Sequence, residues 1–166
     1  MKLLLVNGNT TQAVTDRVVA EATRCAAPGT AITGVTARFG VSIVSTEAEE
    51  EIAGHAVLDA LAANFAGHDA VILAISFDTA LLGARQIVPV PVLGMTEASL
   101  MTACLLGRRF GLISFGQSSR RMYLDLVHRA GLSQRMAGLE TIELVNSATY
   151  LREGGQYTAV IEASGG

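Results

Sequence analysis

The chain has 166 residues, of which 50% are hydrophobic and 16% charged, with a formal net charge of −3. That size and apolar content allow one domain, or two very small half-domains sharing an interface, and exclude a disordered chain. No basic stripe accompanies the acidic balance, which excludes a general nucleic-acid or anionic-membrane binder.

Lys2–Val6 reads as a first strand, and Gln12–Ala26 as a helix ended by Pro28-Gly29. Ala31–Ala37 reads as a second strand, and Thr46 with Glu49 forms a capping box that opens a helix reaching about Asn64. Asp69–Ile75 is a nearly continuous apolar run, as expected of a strand buried on both faces, followed by a short helix over Ala80–Ile87. Pro89 and Pro91 bracket the start of a brief strand ending near Gly94, after which Thr96 is expected to cap a helix to about Leu106. Arg109–Ser114 is a further strand, Ser118–Ala130 a helix stopped by Gly131, Gly138–Leu144 a last strand and Thr149–Ala163 a last helix. This alternation is the pattern of an α/β fold with a doubly wound, mainly parallel sheet, and it leaves the strand order open.

Cys25 and Cys104 give neither a disulfide framework nor metal spacing, and both are expected to be buried structural thiols. The apolar run Leu3–Val6 is too short for a signal peptide, and no run is long enough to cross a bilayer, so a soluble cytoplasmic protein is expected. His55, His68 and His128 fall inside helices or before a strand, away from the ligand edge. The basic residues Arg120, Arg121, Arg129 and Arg135 read as the wet face of a helix and the loop after it.

Open parallel sheets bind ligands outside the carboxyl ends of their strands. Four loops there are rich in amides and hydroxyls: Asn7 to Thr11, Ser76 to Thr79, Thr96 with Glu97, and Ser114 to Ser119. Asn9 or Thr10 would cap the first helix, and free amides with the positive end of the helix dipole would draw an anion. No stretch matches a dinucleotide fingerprint or a phosphate loop, so no cofactor and no metal is expected. The expected ligand is a small polar molecule bearing a carboxylate. Asp78 is the one carboxylate in its loop: desolvation would make it a base, and a position before a helix would make it a cap.

At these loops the sequence resembles the aspartate/glutamate/hydantoin racemase superfamily, most closely its hydantoin and allantoin racemase branch. The matching stretches are Leu-Leu-Val-Asn-Gly-Asn-Thr-Thr at 4–11 and Asp-Ala-Val-Ile-Leu-Ala-Ile-Ser-Phe-Asp-Thr-Ala-Leu at 69–81. They continue with Ala-Arg-Gln-Ile at 84–87, Val-Pro-Val-Leu-Gly-Met-Thr-Glu-Ala at 90–98 and Gly-Arg-Arg-Phe-Gly-Leu-Ile-Ser-Phe-Gly at 107–116. The resemblance implies two similar flavodoxin-like lobes, 1–95 and 96–166, the second incomplete relative to the family, and a homo-oligomer. It implies cofactor-independent racemisation at a carbon beside a carbonyl, in which two cysteines on opposite faces act as base and acid. The first cysteine's place falls at Ile75–Ser76, where there is no thiol, and the second belongs to a later strand-loop beyond residue 166. Carried onto this chain, Ser76, Asp78 and Thr79 would line the reacting face. Asn7, Asn9, Thr10 and Thr96 would hold the substrate from one side, and Ser114, Phe115 and Gly116 from the other. Two alternatives stay open: a lyase like the superfamily's arylmalonate decarboxylase, which keeps one thiol, and a non-catalytic binder of small carboxylates.

Overall fold

Leu4, Leu5 and Val6 are almost wholly buried because the first strand, β1 (Lys2–Asn7), has a parallel neighbour on each side. The computed structural model, which describes residues 1–142, sets β1 between β2 (Ala31–Thr36) and β3 (Ala70–Leu73), with β4 (Val92–Gly94) outside β3. All the pairings in this sheet are parallel. Parallel neighbours need crossover connections, and the helices α1 (Gln12–Cys25), α2 (Glu47–Asn64) and α3 (Leu81–Ile87) supply them. Lys2 N also donates to Asp69 Oδ2 at 2.7 Å, which fixes the start of β1 to the start of β3.

Strand alternation sorts the helices onto two faces. Leu4, Val6, Val71 and Leu73 share a core with Ala53, Val57, Ala60 and Leu61 of α2 and with Leu81 and Ala84 of α3. Leu5 points the other way, beside its partner Gly34 on β2, and α1 covers that face. A methyl group at Gly34 would lie 2.4 Å from Val19 Cγ2 and 2.9 Å from Thr15 Cγ2, so a glycine is what lets α1 sit this close. The sheet is therefore wound on both sides, as the alternation of elements suggests.

A second, two-stranded parallel sheet pairs β5 (Phe110–Phe115) with β6 (Met136–Ile142). Its core joins Phe110 to Leu100 of α4 (Met95–Leu106) and to Leu126 and Val127 of α5 (Arg120–Arg129). On its other side Ile113 and Phe115 are exposed, as are Leu105 and Leu106 at the end of α4.

Several boundaries differ from the sequence reading for local reasons. Gly94, not Thr96, is the N-cap of α4, and Thr96 lies in the helix. Neither Asn9 nor Thr10 is the N-cap of α1: that residue is Thr11, whose side chain makes no capping bond. The capping box of α2 is present, with Glu49 N donating to Thr46 Oγ1 at 3.3 Å and Thr46 N to Glu49 Oε2 at 2.9 Å. Cys25 is exposed and Cys104 half-buried, so neither is the buried core thiol expected; both sit near the outer ends of their helices. The helix expected at Thr149–Ala163 and the end of the strand expected to reach Leu144 lie outside the described residues.

Arg135 is not simply a solvated charge. Its guanidinium donates to the carbonyls of Cys104 and Gly107 at 2.8 Å and of Arg108 at 2.6 Å, gathering the open carbonyls at the end of α4. Arg120 similarly donates to the Leu139 carbonyl at 2.5 Å, tying α5 to β6. Arg135→Ala should destabilise the protein by about 1–3 kcal/mol in urea unfolding, because three carbonyls lose a charged donor at once. Arg135→Lys should recover only part of that loss, since an ammonium cannot span the same fork. Full recovery by lysine would show that charge near the helix end, not the fork, matters.

Candidate functional site

The carboxyl ends of β1, β3 and β4 point to one edge of the four-stranded sheet, and three of the loops singled out above leave from it. In the loop after β1, Asn7 is fully buried and its side chain is engaged internally. Asn7 Nδ2 donates to Asn9 Oδ1 and Thr15 Oγ1, both at 3.0 Å, while Asn7 Oδ1 accepts from Asn9 N at 3.1 Å. Thr15 Oγ1 stands 2.6 Å from Thr36 Oγ1, which joins the helix, the loop and β2 in one polar network. Asn9 Oδ1 also accepts from Thr11 N at 2.9 Å, and its amide nitrogen keeps no protein partner among the described residues. Thr10 turns inward, with its amide and its hydroxyl both donating to the Val41 carbonyl, at 2.9 and 3.3 Å. Gly8 is required here: a methyl group would lie 2.6 Å from Val57 Cγ2.

The loop after β3 contains both left-handed non-glycine residues of the described chain, Asp78 with φ 52° and Ala80 with φ 61°. Such backbone is costly, and partners on two sides hold it in place. Thr96 N and Glu97 N donate to Asp78 Oδ1 and Oδ2 at 2.9 and 2.6 Å. The Thr96 hydroxyl donates to the Ser76 carbonyl. Asp78 is thus a cap, but of α4 rather than of the next helix along the chain. Burial pushes its carboxyl above the ordinary aspartate range; the two amide bonds and Arg85 oppose that, and nearby Glu97 reinforces it. Arg85 in turn holds Glu97, its Nη2 2.5 Å from Oε2, and bonds the Val92 carbonyl at 3.0 Å.

From Leu73 to Thr79 every residue is buried except Ser76, which is half-buried. Ser76 is therefore the most exposed residue of this stretch. Thr79 is 2% exposed, and its hydroxyl has no partner. Ser114, on β5 of the second sheet, is 3% exposed and equally unpartnered. Phe115 beside it is exposed, and Gly116, with φ 73°, turns the chain into a short 3₁₀ turn at Gln117–Ser119 ahead of α5.

What links the two sheets was not evident from the sequence. Tyr123 on α5 packs its ring 4.8 Å from the Phe77 ring, in the loop after β3. Its one local signal is helical spacing, which puts it on the face of α5 that carries the buried Leu126 and Val127. Nearby, a cavity of about 290 Å³ opens between α2, α3 and α5, lined by Glu50, Phe77, Asp78, Leu81, Leu126 and Arg129 among others. Of the candidate residues only Asp78 reaches it. Glu50 also borders a second hollow with Glu47, Met122, Asp125 and His128, and Arg129 borders both. No cluster of metal-ligating side chains occurs among the described residues. None of the described helices is long and apolar enough to cross a membrane.

A family model described as Asp/Glu/Hydantoin racemase matches residues 3–163. A hydantoin racemase of Pseudomonas sp. (strain NS671) is 28% identical over 142 residues, covering 85% of this chain and 57% of its own length. Among solved structures, allantoin racemase from Klebsiella pneumoniae superposes with a TM-score of 0.86 at 30% identity, covering 93% of this chain and 65% of its own. Allantoin racemase from Pseudomonas fluorescens gives 0.81 at 32% identity, covering 92% and 64%. The chain thus spans less than two thirds of the length of each of these relatives.

Two measurements test this geometry. A methyl group at Gly94 would meet the Asp78 carboxyl carbon at 2.5 Å. Gly94→Ala should therefore cost about 1–3 kcal/mol in urea unfolding, and less in an Asp78→Gly background, where the clash is gone and glycine suits the backbone. Additive costs would show that the two residues do not oppose each other. Glu50 provides the second. Burial raises its pKa, with Glu51 and Glu47 adding to the rise and Arg129 only partly offsetting it. The folded state then holds this proton more tightly than the unfolded chain, so stability falls as pH rises from the ordinary glutamate value through the raised one. Glu50→Gln should flatten that fall and raise the melting temperature at neutral pH; an unchanged pH profile would contradict the assignment.

Proposed function

The chain belongs to the Asp/Glu/hydantoin racemase family, and from that premise we propose that it carries the substrate-gripping edge of a racemase-type isomerase. The substrate is a small cyclic amide or carboxylate of the hydantoin or allantoin kind, and the reaction removes and returns the proton on a carbon beside a carbonyl. One observation carries the reading: in the Ile75–Ser76 pair, where the resemblance puts the family's first thiol, Ser76 is half-buried while the rest of Leu73–Thr79 is buried. Asn9 offers an amide nitrogen from the neighbouring loop, beside a helix start that no side chain caps. The unpartnered Ser114 hydroxyl, with Phe115 and Gly116, adds the contribution of the second sheet. Asn7, Thr10 and Thr96 shape the edge through their internal bonds rather than by contact with the ligand. Asp78 and the buried Thr79 hold the Ser76 loop from beneath.

A second reading, binding of the same ligand without turnover, is favoured by the commitment of both Asp78 oxygens to the amides of α4. With a hydroxyl at position 76, the described edge then holds no group ready to take the proton. Incubation with allantoin or a 5-substituted hydantoin in heavy water separates the two. The isomerase reading expects deuterium at the carbon beside the carbonyl above the protein-free rate, with loss of the signal in Ser76→Ala. Calorimetric binding without exchange supports the second reading, and absence of both binding and exchange removes the two together. In the same titration Asn9→Ala should weaken binding roughly tenfold to a hundredfold.

A further inference from the structure

A side-chain amide has the same shape from either end, and its partners show which end is oxygen and which is nitrogen. At Asn7 and Asn9 those partners include backbone groups, whose sense cannot change. Asn7 Oδ1 accepts from the Asn9 backbone amide at 3.1 Å, and Asn7 Nδ2 donates to the Thr11 carbonyl at 3.4 Å. Asn9 Oδ1 accepts from the Thr11 backbone amide at 2.9 Å and from Asn7 Nδ2 at 3.0 Å. Both lone pairs of the Asn9 oxygen are therefore spent inside the loop, and its nitrogen is the end left over. A further lock comes from α1 and β2. The Thr36 hydroxyl gives its one proton to Gln12 Oε1 at 2.8 Å, so the 2.6 Å contact with Thr15 is a donation from Thr15. The Thr15 oxygen is then free only to accept, which it does from Asn7 Nδ2 at 3.0 Å. An Asn7 turned end for end would face that oxygen with another.

We infer that Asn7 is a positioning residue for Asn9: by holding the Asn9 oxygen inward, it makes position 9 a hydrogen-bond donor that takes a ligand oxygen and refuses a ligand N–H. This rests on the reading of Asn9 as a ligand contact and adds the polarity of that contact. Asn7 itself is 0% exposed and out of a ligand's reach, whereas Asn9 is half-buried. A cyclic amide carries C=O and N–H groups side by side around its ring, so a donor at one point of the edge decides which way round the ring sits. A carboxylate, which has only acceptors, meets the same donor with either oxygen. Selection at this point is by the direction of a hydrogen bond and not by charge, because asparagine is neutral.

The first test needs no ligand. Side-chain amide signals of the whole chain are recorded by nitrogen-edited NMR and assigned through the backbone. The Asn7 amide hydrogens should exchange with water far more slowly than those of Asn9. Asn9→Ala should speed the Asn7 exchange, because an acceptor is gone, and Asn9→Asp, which restores an oxygen there, should leave it slow. Equal exchange at the two residues, or an Asn7 rate indifferent to Asn9→Ala, overturns the pairing. Allantoin, a neutral ligand, is then titrated calorimetrically, with a thermal melt of each variant. Asn9→Asp keeps the inward oxygen and puts a second one where the nitrogen was, so it should bind at least about tenfold more weakly than Asn9→Ala. Equal or tighter binding by Asn9→Asp overturns the donor assignment. Asn7→Asp offers Asn9 an acceptor in place of a donor and so turns the Asn9 amide end for end. It should weaken binding about tenfold when Asn9 is present, and not at all in an Asn9→Ala background. A further loss in that background overturns the claim that Asn7 acts through Asn9. If Asn7→Asp does not fold, the exchange rates still decide the pairing. If wild type does not bind allantoin, the ligand reading of Asn9 fails and the inference falls with it, while the exchange rates show whether the pair itself exists.

Discussion

The Asp78 carboxylate, set across the first amides of α4, is the interaction on which the candidate site depends. A helix start exposes amides without internal partners and carries the positive end of the dipole, so a buried anion is well placed there. Three consequences follow from that contact. The loop after β3 is held in left-handed backbone that it would otherwise leave. Position 94 is closed to any side chain. The edge of β4 is joined to the edge of β3 just where Ser76 emerges. Arg85 and Glu97 brace the same junction from outside, but their ion pair is partly exposed and contributes less than the buried cap.

The fold was legible in the sequence wherever its cause was local. Thr46 and Glu49 announce the start of α2, the apolar run at Val71–Leu73 announces a buried strand, and Pro89 and Pro91 place β4 just beyond them. The strand order was not legible, because it is decided by which faces bury together and not by any one segment. The loops of the candidate edge were legible because strand ends can be read from the sequence, whereas the internal bonds of each side chain cannot. Asn7 looks like a ligand group and is an internal brace; Asp78 looks like a cap for the next helix and serves one that begins at Met95. Tyr123 stands far along the chain from Phe77, the ring it meets, and carries no motif. Contacts of that kind are created by packing, and a single sequence shows them only after the helix face is known.

Two apolar cores, one around β1 and one around Phe110, meet through a polar and aromatic seam. Phe77 and Tyr123 form the aromatic part, and Glu50 and Arg129 stand across the cavities beside it. Such a seam is packed less closely than either core, because cavities and partly exposed charges replace apolar contact.

The position of β1 also bears on how the protein comes into being. The most buried strand of the first sheet is synthesised before the other strands of that sheet, and its inner neighbour β3 begins only at Ala70. At synthesis rates of about 5–20 residues per second, Leu3–Val6 waits roughly 3–14 seconds for the segment that will flank it. During that interval α1, β2 and then α2 are the elements available to shelter it. A nascent chain of this design depends on its β1–α1–β2 unit closing early, and a chaperone that recognises short aliphatic runs would find a target in β1.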